Sequence, residues 1–198
     1  LIEAGMPPSA VICNPDRLFG RKQVLTPPPV KIVAVAHGIQ VLQPEKLDEH
    51  FMIDISRFKP AFAIVAAYAK ILPQSVIDLP RLRTIGVHPS LLPKYRGASP
   101  IQSALLAGET GTGVSLYLLD SKVDHGAVLA EHELRIAERE TYESLLEKLG
   151  GLSGALLAET LPKFVSGAIA PRVQREGAAT YTKKAGEVAA SRFFYLKG

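Results

Sequence analysis

The sequence predicts an α/β protein built on a doubly wound, mostly parallel sheet. Three observations carry that expectation. Apolar, strand-like runs alternate along the chain with helical patterns, and such alternation feeds right-handed βαβ units. The run AFAIVAA at 61–67 is uninterrupted, as a central parallel strand covered on both faces requires. No internal repeat or low-complexity tract breaks the pattern.

The elements follow in order. LIEAG at 1–5 reads as the last turn of a helix, with Gly5 just past its end. The chain does not open on Met, so a missing N-terminal segment is expected. AVIC at 10–13, bounded by proline and Asn-Pro, reads as a buried strand. VKIVAVAH at 30–37 stops at Gly38 and is read as a helix leading into a strand at 39–42. Leu47, Phe51, Ile55 and Phe58 recur at helical spacing and predict an amphipathic helix over 44–60. A short helix at 73–80 and a strand at 84–87 come next. Pro100 opens a helix that Gly108 ends. Strands are expected at 114–119 and 127–136, then a long helix over 141–167 with Thr141 as its N-cap. Beyond 168 the pattern weakens.

Composition narrows the class. The 198 residues are 47% hydrophobic and 21% charged, with net charge +4, which suits one globular domain or a domain with a stub of a second. A single cysteine excludes a disulfide framework, and no Cys/His cluster has metal spacing. No apolar run reaches the roughly eighteen residues of a membrane span, and no stretch reads as a secretory signal; a cytoplasmic protein is expected. Arg17, Arg21, Lys22 and Lys31 cluster in a Gly/Pro-rich segment, a surface suited to phosphate.

The candidate site lies at the strand ends, where open α/β sheets bind ligands. His88 follows the strand at 84–87. Asp120 and Asp124, in LLDSKVDHG, follow the strand at 114–119. An imidazole and a carboxylate together can move protons and stabilise a developing oxyanion. Gly126 is expected to allow the turn that aims Asp124 inward. No P-loop, GxGxxG or nucleophile elbow is present, which removes support for phosphoryl transfer, dinucleotide binding and Ser-His-Asp chemistry.

Taken together, VHPSLLPKYRGASPIQSALLAGETGTGVSLYLLDSKVDHGAVL, the basic segment with LTPPPVK, and GIQVLQPEKL, VAAYAKILPQSVIDLP and ATYTKK resemble the folate-dependent formyltransferases over nearly the whole chain. The resemblance implies a Rossmann-like catalytic domain over 1–168. It also implies a linker over 169–198 toward an absent C-terminal β-barrel domain. It implies N10-formyltetrahydrofolate as formyl donor, and the LTPPPVK segment points to the branch acting on initiator methionyl-tRNA. By that likeness the amine attacks the formyl carbon directly. His88 stabilises the oxyanion, and Asp124 keeps the ring charged and assists the proton. Ser90, Leu91, Leu92, Pro93 and Asp120, with Ala69, Lys70, Ile71 and Leu72, would line the folate. Arg17, Arg21, Lys22 and Lys31 would embrace the tRNA. No metal, membrane or protein partner is expected, and the protein would be a monomer.

Two departures are visible. The family places an asparagine two residues before the histidine, as a donor toward the formyl oxygen; this chain has Gly86. Losing such a donor costs ~10²–10³ in rate, so weak activity is expected, with Gly86→Asn raising it at least tenfold. The family's first strand is also expected to be missing, which would expose a central sheet edge. The alternatives are a formyltransferase acting on a nucleotide-sugar or glycinamide ribonucleotide amine, and a remnant that binds folate or tRNA without turnover.

Overall fold

The computed structural model describes residues 1–68, 70–182 and 193–197. The chain forms two compact units that divide between Thr84 and Ile85, the C-terminal strand belonging to the first.

In the first unit β1 (Ala10–Cys13) is buried along its whole length. β2 (Arg17–Phe19) and β3 (Val24–Thr26) form an exposed antiparallel hairpin. The sequence predicts no strand in this Gly/Pro-rich segment. The turn is made by Gly20 and Gln23 at positive φ, with the Gln23 amide donating to the Gly20 carbonyl at 3.1 Å. α1 (Pro29–Ala36) begins on proline, whose missing N–H costs nothing at that position. β4 (Gln40–Leu42) pairs parallel with β1.

α2 (Glu49–Ser56) starts later than the periodicity suggests. The Asp48 carboxylate accepts the Phe51 amide at 3.2 Å and caps the first turn. The apolar spacing survives as packing: Phe51 and Ile55 are buried with Ile12, Ala63 and Val76, flanked by Leu47 and Phe58. β5 (Phe62–Ala66) and α3 (Gln74–Ile77) complete this part.

In the second unit come β6 (Arg83–His88), α4 (Pro100–Leu106), β7 (Gly111–Leu118), β8 (Val128–Arg135) and α5 (Tyr142–Val165). β7 is antiparallel to both β6 and β8. The sheet is therefore mixed, a correction to the mostly parallel expectation. The link from β7 to β8 is too short for a parallel return, which needs a crossover of about a dozen residues or more. α5 is capped by Thr141, which accepts the Ser144 amide at 3.2 Å. Its glycines cost ~1 kcal/mol each relative to alanine. Burial of Leu145, Leu149, Leu156, Leu157 and Leu161, at ~2 kcal/mol each, outweighs that.

The segment read as linker is hydrogen-bonded into the second unit. Val128 and Arg172 exchange backbone bonds at 2.8 Å each way, and Thr182 donates to the Arg96 carbonyl at 2.7 Å. β9 (Phe193–Lys197) returns to the first unit and pairs antiparallel with both β1 and β5. The edge expected to lie open is paired on both sides. Among the described residues no helix is long and apolar enough to cross a membrane.

Candidate active site

His88 ends β6 and is buried. Its Nε2 lies 2.8 Å from the Tyr95 carbonyl. A carbonyl only accepts, so Nε2 carries the proton and donates. Its Nδ1 faces Asp124 Oδ2 at 3.6 Å. That is an ion-pair distance but too long for a hydrogen bond, so Nδ1 keeps hydrogen-bonding capacity to spare.

Asp124 is held more tightly. Oδ1 accepts the Tyr117 hydroxyl at 2.6 Å, and Oδ2 accepts the Gly97 amide at 2.7 Å. The Asp124 carbonyl accepts Gln174 Nε2 at 2.9 Å. The aspartate itself sits at φ +48°, a conformation that Asp tolerates better than most residues. The sequence reading assigned the turn to Gly126. Gly126 is instead needed for close approach: a Cβ there would stand 1.7 Å from the Leu118 carbonyl oxygen.

Asp120 does not join this pair. Its carboxylate accepts the Lys122 amide at 2.9 Å and contacts His125 Nδ1 at 2.6 Å. The sequence reading brought both aspartates to one crevice. The structure brings only Asp124 to His88.

Gly86 is filled from the neighbouring strand. It pairs with Tyr117, and a Cβ on Gly86 would lie 2.3 Å from Tyr117 Cε1, 2.4 Å from Cζ and 2.7 Å from Leu119 Cδ1. The ring is buried and tied by its hydroxyl to Asp124. An asparagine at 86 therefore meets a fixed aromatic ring, and the tenfold gain expected from Gly86→Asn loses its physical basis. The burial of Tyr117 and the nearby Asp124 charge raise its phenol well above the ordinary value, so it remains a neutral donor.

Ser90 does not contact His88 as a nucleophile would. Its Oγ donates to the Lys94 carbonyl at 2.6 Å. The Leu92 amide donates to Ser115 Oγ at 2.9 Å, and Pro93 O accepts the Thr180 amide at 3.2 Å. With these polar groups engaged, Leu91 and Pro93 offer half-buried apolar surface. In the first unit Ala69 lies outside the described residues. Lys70 Nζ donates to the Pro44 and Glu45 carbonyls at 2.5 and 2.6 Å. Leu72 packs on the core cluster, while Ile71 is 96% exposed.

The four basic residues differ from one another. Arg21 and Lys22 are exposed at the hairpin turn. Arg17 pairs with Glu45 at 3.1 Å, both largely in water. Lys31 is committed inward, donating to both Asp16 oxygens at 2.8 Å and to Gln43 Oε1 at 2.7 Å. Hydrogen bonds from Gln43 and then Lys31 hold the Asp16 carboxyl below its usual range.

Tyr117 and Arg96 belong to the site without any sequence motif to mark them. Arg96 is fully buried and donates to Gln174 Oε1, to both Glu176 oxygens and to the Tyr181 hydroxyl. Gln174 in turn holds the Asp124 and Gly126 carbonyls. Only cross-strand register and the path of 172–182 bring these residues together, and neither shows as a motif. Among the described residues no group of His, Cys, Asp and Glu is placed to hold a metal ion.

The formyl transferase family model matches residues 7–161. A methionyl-tRNA formyltransferase of Halorhodospira halophila is 45% identical over 184 residues, covering 93% of this chain and 59% of that protein. One from a Geobacillus strain is 43% identical over 182 residues, covering 91% and 57%. The chain thus spans less than two thirds of these relatives. A formyltransferase from Anoxybacillus kamchatkensis, solved with a UDP-formamido-sugar and tetrahydrofolate, superposes with TM-score 0.64 at 24% identity, over 87% of this chain and 84% of that one. Phosphoribosylglycinamide formyltransferase from Bacillus halodurans gives 0.59 at 26% identity, over 68% and 74%. The family model covers well over half of the residues, and the chain belongs to the formyl transferase family.

Proposed function

We propose that this chain carries the catalytic part of an enzyme that transfers a formyl group from N10-formyltetrahydrofolate to the amino group of initiator methionyl-tRNA in the cytoplasm. The observation that carries the reading is the buried His88 facing Asp124 at a strand end, in a chain whose relatives bear that enzyme's name. The donor supplies an activated formyl group. As an imidazolium, with Nε2–H given to the Tyr95 carbonyl, His88 also presents Nδ1–H, which can donate to the negative charge that develops on the formyl oxygen. The Asp124 carboxylate balances charge on the ring and is placed to help move a proton from the attacking amine to N10, which leaves as tetrahydrofolate when its bond to the formyl carbon breaks. The half-buried Leu91 and Pro93 offer apolar surface to the flat rings of a folate. Arg21 and Lys22 offer exposed charge to a tRNA backbone.

The test is single-turnover transfer of labelled formyl by the full chain to three acceptors: methionyl-tRNA, a nucleotide amino-sugar and glycinamide ribonucleotide. Formyl-methionyl-tRNA formed in a salt-sensitive reaction supports the proposal. Transfer to a small amine alone, or folate binding without transfer to any acceptor, overturns it.

A further inference from the structure

We propose that Tyr117 is a positioning residue for Asp124, and that Gly86 is the vacancy that lets it reach. This rests on the reading of His88 and Asp124 as the reacting pair.

A buried tyrosine needs a partner for its hydroxyl, and many acceptors would serve. Here the acceptor is one oxygen of the carboxylate whose other oxygen faces His88. At 2.6 Å the bond has the length of a charge-assisted hydrogen bond. A carboxylate held at one oxygen can still swing about its Cβ–Cγ bond. Asp124 is held at both, by Tyr117 on Oδ1 and by the Gly97 amide on Oδ2. That fixes Oδ2 at 3.6 Å from His88 Nδ1.

The ring can occupy this place only because residue 86 has no side chain. Gly86 shows no positive φ, so its backbone conformation does not demand glycine; the Tyr117 ring does, at 2.3 Å from any Cβ. The two positions are cross-strand partners and behave as one unit. A side chain at 86 expels the phenol, and loss of the phenol frees Asp124. The neutral state of the phenol, kept by burial and by the Asp124 charge, suits it to donate throughout the neutral range.

The experiment compares the full chain with Tyr117→Phe, Gly86→Ala and Gly86→Ala/Tyr117→Phe. Tyr117→Phe keeps the ring and removes only the donor. It is expected to lower kcat about ten- to a hundredfold, the worth of a hydrogen bond to a charged group, with KM within about twofold. Gly86→Ala should lower kcat at least as far, and the double variant should lose much less than the two single losses combined. Unchanged kcat in Tyr117→Phe, or strict additivity, overturns the proposal and leaves the formyl-transfer reading intact.

A second readout needs no turnover. The wild-type Tyr117 hydroxyl proton should be slow to exchange and visible by NMR, and the Asp124 carboxyl and His88 ring signals should move in Tyr117→Phe. Absence of that proton, or unmoved signals, overturns the positioning role even if no acceptor is ever formylated.

Discussion

The centre around Asp124 and the basic hairpin at Arg17–Thr26 are both picked out by residue type, yet they are built in opposite ways. Asp124 is held at both carboxylate oxygens and at its carbonyl, and His88 is held at one ring nitrogen. The hairpin is exposed on every residue of both strands, with Leu18, Phe19, Val24 and Leu25 all more than half in water. The difference fits the two tasks proposed for them. Stabilising charge on one atom requires fixed dipoles at a fixed distance. Contacting a phosphate backbone requires exposed charge and reach, and tolerates loose geometry. Lys31 is instructive: it lies in the basic segment by sequence, but its amine is built into a closed network with Asp16 and Gln43.

The comparison can be broken most severely at Gly126. Its Cβ would meet backbone rather than a movable side chain, so Gly126→Ala should cost about 3 kcal/mol or more, at or above the upper end for overpacking. A urea titration of the variant checks this. Arg96→Met comes next. It removes the buried guanidinium that holds Gln174 and Glu176, and the loss should be about 2 kcal/mol. Its Glu176 partner is more than half exposed and can be rehydrated, which keeps the cost below that of stranding a buried charge.

The basic segment should respond differently. Arg21→Ala should leave the urea midpoint unchanged. It should weaken tRNA binding and reduce the salt slope by about one. Lys31→Ala should do the reverse, lowering the midpoint and leaving the slope alone. The Asp16 network also sets a pH dependence. Its carboxyl titrates below the ordinary 3.8 when folded, so the stabilisation is present above that value. It is lost as pH falls through the depressed folded one. Midpoints measured down the acid range in wild type and Asp16→Asn should converge as the network protonates. The smallest effect belongs to Phe19→Ser, because the side chain stays largely in water on folding; stability should move by no more than about 0.5 kcal/mol.

Much of this was legible in the sequence, for physical reasons that also explain the rest. β1, β5, α4 and α5 follow from apolar runs, Pro100, Gly108 and Thr141, signals that act locally. His88 and Asp124 follow from their place after strands. Strand direction did not follow, because β7 reads the same whether its neighbours run parallel or antiparallel to it. The β2–β3 hairpin was missed because its apolar residues face water on strands of three residues each, too short for alternation to register. The start of α2 was misplaced because Leu47 keeps the helical spacing while lying ahead of the Asp48 cap. Tyr117 could not be found at all without the register that sets it opposite Gly86. Read alone, Gly86 is a lost donor. Read with its cross-strand partner, it is room for a ring.

The most direct test of the central claim is single-turnover formyl transfer to methionyl-tRNA by the full chain and by His88→Ala. The account predicts transfer by the wild type and a fall of about 10²–10³-fold in the variant, the usual consequence of removing one group that stabilises an oxyanion. Folate and tRNA binding should be little changed. A variant that transfers formyl as fast as the wild type would contradict the assignment of this centre.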